Sequence, residues 1–256
     1  MSTFHRNEIE IIMPDQPRLI HISPDGPNAE GLTQLDLDPK EFQSPLPVQT
    51  AHIFFEDIAI GLTVGVWDTT TMQEIFGPYP GDEFICVLEG KFAMIDAQGN
   101  AVQVSKGDAV ALRNGAPMSW KQEGYLKKFF ITYLNPKVPK PDIKSAQGAV
   151  IVLHPHPQLS DVPNSGQTKE HAHVAFTNDA KNMTAGVWES GAADYGMSAL
   201  RAHKFVHVLE GEATILETDG KVHQVAANDC FFMPKGTECQ WQIQKYIKTY
   251  YAQVAA

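Results

Sequence analysis

A chain of 256 residues, 43% hydrophobic, has enough apolar material for one large domain or two of ordinary size. Its formal net charge of −10 disfavours nucleic acid, whose phosphates need a basic face. No run of about eighteen apolar residues marks a membrane span, and Met1 to Glu10 lacks the basic-then-apolar layout of a secretory signal.

Residues 1–45 are proline-rich and weakly patterned, and read as an N-terminal arm that covers a sheet edge or adds a partial strand. From residue 46 to 134 the pattern is that of short strands. Phe84–Leu88 is rich in β-branched and aromatic residues and closes on Glu89-Gly90. Lys91–Asp96 follows, then a turn at Gln98-Gly99-Asn100, Ala101–Val104, a turn at Lys106-Gly107-Asp108, Ala109–Leu112 and a turn at Asn114-Gly115. The pair Lys127-Lys128 reads as solvated surface. Residues 135–150, rich in proline and lysine, read as an extended linker. Residues 151–256 repeat the strand-and-turn pattern, with Phe205–Leu209 closing on Glu210-Gly211. No segment sustains a 3.6-residue apolar period, so helices should be few and short. Cys86, Cys230 and Cys239 are too few and too scattered for a disulfide framework, and a cytoplasmic protein with reduced thiols is expected.

The two halves are copies of one module. Gly65-Val66-Trp67 returns as Gly186-Val187-Trp188, and Val87-Leu88-Glu89-Gly90 as Val208-Leu209-Glu210-Gly211. Asp108, Gly115 and Trp120 return as Asp229, Gly236 and Trp241, and His52 as His173, every pair 121 residues apart. Gapless agreement over about eighty residues implies two tandem antiparallel barrels and an all-β fold.

These residues resemble the cupin superfamily. Glu83-x6-Gly90 fits the tail of its first motif, with Lys204-x6-Gly211 as the second copy's version. Gly107-x5-Arg113-x-Gly115 and Asn228-x5-Pro234-x-Gly236 fit the front of its second motif. The Gly-Val-Trp opening, Asp82-Glu83, and the tryptophan five residues after each turn glycine are similar to the subgroup holding ureidoglycine aminohydrolase-like bicupins and the ethanolamine-utilisation cupin. The resemblance implies two jelly-roll barrels. In the family, three histidines and a carboxylate converge on one metal ion. Here those places hold Gly77 and Tyr79 (or, with the longer spacing, Phe76 and Pro78), Glu83 and Met118 in the first copy, and Ser198 and Leu200 (or Met197 and Ala199), Lys204 and Cys239 in the second. No conventional metal centre, and no cofactor, is therefore expected. His171 and His173 share a strand face and are the atypical metal ligands to consider, although partly exposed strand histidines are the plainer reading. His203 and His207 fall on the face opposite Lys204 and are expected at an interface.

If Glu83 and Lys204 keep the family orientation, each is a charge aimed into an apolar barrel, and each needs a partner there or a ligand. Glu83 would meet an ammonium or hydroxyl, with Tyr79 beside it, and Lys204 a carboxylate. Tyr79, Met118 and Trp120 would wall the first pocket, and Leu200, Cys239 and Trp241 the second. The leading expectation is a bicupin that binds a small polar metabolite in its first barrel through Glu83. Alternatives are a metal-dependent hydrolase or lyase of a small nitrogenous compound and a non-catalytic scaffold. A homodimer is the expected assembly.

Overall fold

The computed structural model describes residues 16–137, 141, 143, 145–162 and 170–255. They form antiparallel β-structure with two short 3-10 turns, and two compact units emerge. One holds residues 23–154. The other joins 155–255 to residues 16–22 of the arm.

In the first unit a seven-stranded sheet runs in the order Val150–Leu153, Ala109–Leu112, Asp82–Glu89, Leu126–Tyr133, Leu62–Thr69, Gln49–Asp57, Thr33–Gln34. A five-stranded sheet holds Met72–Gln73, Pro117–Gln122, Lys91–Ile95 and Ala101–Ser105, with Gly77–Pro78 beside Pro117–Gln122. Their facing sides bury one apolar cluster that includes Trp67, Tyr79, Ile85, Phe92, Met118, Trp120 and Phe130. In the second unit the equivalent strands run on without a break. His203–Glu217 spans what Asp82–Glu89 and Lys91–Ile95 cover separately, and it pairs along its length with Glu238–Val254.

The repeated motifs have a backbone explanation. Gly90 and Gly211 sit at the corner where the chain passes between layers, both at φ 76. A Cβ there would lie 2.2 and 2.0 Å from the carbonyl oxygens of Tyr125 and Tyr246, so only glycine fits. Gly65 and Gly186, the glycines of Gly-Val-Trp, serve a close strand approach. A Cβ on them would stand 2.5 and 1.9 Å from the carbonyl oxygens of His52 and His173.

The boundaries expected at the linker and arm shift. Val150–Leu153 pairs with Ala109–Leu112 and so belongs to the first unit, which extends to His154. Ile143 and Ala146 pack on the first core, so this part of the linker is docked rather than extended. The reason is a bare sheet edge: Ala109–Leu112 needs a neighbour for its backbone groups. The arm divides likewise. Thr33–Gln34 pairs with Gln49–Asp57 in the first unit, whereas Ile20–His21 pairs with Cys230–Met233 in the second. Leu19 enters the second core, and its N–H donates to Glu217 Oε1 at 2.7 Å. His223 bridges Glu217 (3.1 Å) and His21 (3.0 Å), which ties the arm to a buried carboxylate.

Candidate functional site

The first barrel closes on a buried ion pair. Asp82–Glu89 and Leu126–Tyr133 are hydrogen-bonded neighbours, and their register brings Glu83 opposite Thr132. The Lys128 side chain, further along the same strand, reaches Glu83 Oε1 at 2.8 Å. Glu83 is 0% exposed and Lys128 1%. The Tyr79 hydroxyl donates to Glu83 Oε2. Burial, and then the adjacent carboxylate, push the Tyr79 hydroxyl well above its usual range, so it remains a protonated donor. The ammonium also lies 4.8 Å from the centre of the Trp67 ring and 4.9 Å from that of Trp120.

Glu83 therefore has its cation within the chain, and the expected opening for a ligand's ammonium is taken by Lys128. The reading of Lys127-Lys128 as solvated surface is corrected as well. Successive strand residues face opposite ways. Lys128 thus shares a face with Leu126 and Phe130 and points into the core, while Lys127 bonds Asp25 at 3.0 Å. That alternation was the available signal for Lys128. Tyr79, Met118 and Trp120 are where the sequence places them, on the inner wall. All three are buried core, and Trp120 stacks flat on Phe92 with 3.7 Å between ring centres.

The second barrel rebuilds the same aromatic frame around a different charge. Trp188 meets Trp241 edge to face at 6.1 Å and 85°, as Trp67 meets Trp120 at 6.0 Å and 81°. The first indole of each pair donates its N–H to the residue 121 positions apart in the two copies: Trp67 to Gln49 at 3.3 Å, Trp188 to Glu170 at 3.1 Å. An ammonium again sits over both tryptophans, but it is Lys204, from the strand position of Glu83, at 5.3 and 5.5 Å. The position of Lys128 is held by Thr249. Among the described residues Lys204 makes no ion pair comparable to that of Lys128.

The surroundings differ in openness. Trp67, Tyr79 and Glu83 are buried, whereas their counterparts Trp188, Leu200 and Lys204 are half-buried. Tyr195 joins them at the rim of the second core, its hydroxyl 2.7 Å from Ser190 Oγ. Cys239 and Trp241 form the inner wall. Desolvation lowers the Lys204 ammonium from its ordinary range, opposed by the fields of Cys239 and Glu170. Burial raises the Cys239 thiol, against the pull of Trp241 and Lys204, so it is held as a thiol. Trp188 and Glu170 were absent from the sequence candidates. Their signal lay in the repeat, in the Gly-Val-Trp motif and the Gln49–Glu170 correspondence.

The family's metal does not fit these residues. At the four expected ligand places of each barrel only Glu83 is a family-type donor, and it is committed to Lys128 and Tyr79. Among the described residues no group of three or more histidine, cysteine, aspartate or glutamate side chains is arranged to hold an ion. His171 is flanked by Asp161 at 3.2 Å and Glu189 at 3.4 Å, and His173 is exposed. His203, expected at an interface, stacks on Phe232 within its own unit at 6.0 Å and accepts the Lys235 N–H.

Comparison with known proteins agrees with this frame. A model described as the EutQ-like cupin domain matches residues 62–130 and again 177–251, together more than half of the chain. No curated protein matches the sequence. Among solved structures, a protein of unknown function of the DUF861 family from Pseudomonas syringae pv. tomato superposes with a TM-score of 0.72 at 18% identity, over 93% of this chain and all of the other. A putative dioxygenase from Nostoc punctiforme gives 0.64 at 12% identity, over 94% of this chain and 83% of that one. Protein Ylba from E. coli gives 0.56 at 13%, over 93% and 90%. Identities this low establish shared fold alone. With the family matched in both copies, the chain belongs to the EutQ-like cupin domain family as a tandem of two barrels.

Proposed function

We propose that the protein binds a small molecule in its second barrel, with an oxygen acceptor, carboxylate or carbonyl, at Lys204 and a flat body against Trp188 and Trp241. One contrast carries the reading. The same ammonium-over-two-tryptophans frame occurs twice, closed by Glu83 in the first barrel, and left half-buried without a carboxylate partner among the described residues in the second. A lysine in that state has an uncompensated charge to offer a ligand, while the charge of Lys128 is already matched by Glu83. The first barrel then serves as a rigid core, and the ligand site first expected at Glu83 moves to the corresponding position one repeat later.

The test is a thermal-shift and calorimetric screen with small carboxylates and carbonyl compounds, since a ligand of the folded state alone raises its melting temperature. Wild type should respond and Lys204→Met should not. A response that survives in Lys204→Met and is lost in Trp120→Ala would return the site to the first barrel. Silence across the panel would leave the scaffold reading. A metal-dependent hydrolase or lyase similar to the ureidoglycine aminohydrolase-like bicupins finds no support in the donors at either barrel's centre.

A further inference from the structure

We infer that Lys204 is a nucleophile that condenses with a small aldehyde or ketone to form an imine in the second barrel; this deepens, and rests on, the ligand site proposed above. Three features of the site carry it. Lys204 and its neighbours Trp188 and Leu200 are half-buried, the ammonium lies over two indole faces, and Glu170, the carboxylate whose field reaches it, is engaged by the Trp188 N–H. With no ion pair among the described residues to fix its proton, Lys204 can present a free lone pair, and desolvation moves it in that direction. The indole faces act the other way, favouring the ammonium. The same faces would stabilise the cationic iminium, whose charge sits where the ammonium's did.

The first barrel supplies the internal control. Lys128 has the same indole pair but is held at 2.8 Å by a fully buried carboxylate. Its proton cannot leave without stranding Glu83 as a buried, unpaired charge. Chemistry at an amine is thus available in one copy and blocked in the other. Glu170, which accepts the Trp188 N–H, is the carboxylate whose field reaches Lys204, in the place where the first barrel has Gln49.

The step balances without any redox partner. The Lys204 nitrogen lone pair adds to the carbonyl carbon, and a proton moves from nitrogen to the former carbonyl oxygen, giving a carbinolamine. The C–O bond then breaks, water leaves with the oxygen and both amine protons, and a C=N bond remains. Protonation of that nitrogen gives the iminium. A lysine held in an apolar pocket is a general design for such chemistry.

Pyruvate and lactate separate this inference from plain anion binding, because they share the carboxylate and differ at the reacting carbon. The full chain is incubated with each and treated with borohydride, followed by intact-mass and peptide mapping. The expected result is one adduct per chain from pyruvate, heavier by pyruvic acid less one oxygen atom and mapped to Lys204, with none from lactate. In Lys204→Arg, which keeps the charge but cannot form an imine, trapping should vanish while any thermal shift by lactate persists. Equal binding of both acids with no trapped adduct overturns the imine and leaves the ligand site standing. If neither acid binds or is trapped, a neutral probe, benzaldehyde, is run in the same way. Failure to trap it on Lys204 also overturns the imine, and absence of any thermal shift with it counts against the site itself. Adducts spread over surface lysines, unchanged in Lys204→Arg, refute the assignment as well.

Discussion

Replacing Lys128 by methionine would remove the cation that lies over two indole rings while leaving Glu83 in place, 0% exposed. Taking one partner from a buried pair costs about 3–5 kcal/mol, because the remaining charge is uncompensated. Tyr79 offsets part of this through its hydrogen bond to Glu83, so the lower half of that range is expected. With a urea slope of about 1–3 kcal/mol/M, a loss of about 3 kcal/mol moves the unfolding midpoint down by roughly 1–3 M. The double variant Glu83→Leu/Lys128→Met exchanges the pair for apolar groups and should recover most of the loss, since such replacements are often neutral or stabilising. Urea titration followed by tryptophan fluorescence measures both, as Trp67 and Trp120 report on the site itself. A single variant within about 1 kcal/mol of wild type, or a double variant no more stable than the single, would refute the view that this pair closes the barrel.

Two further outcomes follow from particular residues. Burial lowers His207 from 6.5 to about 4, so on acidification the unfolded chain takes up a proton before the folded one does. The associated stability is complete above pH 6.5 and is lost as the pH falls to about 4, by about 3 kcal/mol in all; a His207→Gln variant should lack this segment of the stability–pH profile. Gly186→Ala puts a Cβ 1.9 Å from the His173 carbonyl oxygen, forcing Glu170–Thr177 away from Met183–Asp194. A loss of about 1–3 kcal/mol is expected, with faster amide exchange in those two strands; unchanged exchange would show that the close approach is dispensable.

Much of the fold was legible because repeats and turns are local. The glycine of each Val-Leu-Glu-Gly corner needs φ near 76, and the glycine of each Gly-Val-Trp must carry no Cβ; both demands fall on single positions, and both recur 121 residues later. The inward aim of Glu83, Tyr79, Met118 and Trp120 followed from the family motif and strand alternation. Two things were harder to read. The Lys128 partner stands 45 residues from Glu83 on a different strand, and composition made a lysine pair look like surface. Likewise the strands at 20–21 and 150–153 are too short for a period and are defined only by the edges they cover.

The two charges singled out at the start, Glu83 and Lys204, show where the division lies. Sequence alone determined that each is carried into a barrel, and that the barrels differ at equivalent positions, because alternation and the 121-residue offset are properties of the chain. Only the tertiary structure decided which charge was already satisfied. Pairing across strands depends on long-range register, and that register gives Glu83 a lysine while placing Thr249 where a second-barrel partner would stand. The half-buried setting of Lys204 is likewise visible only in the folded chain, since solvent access depends on how side chains from distant strands pack together.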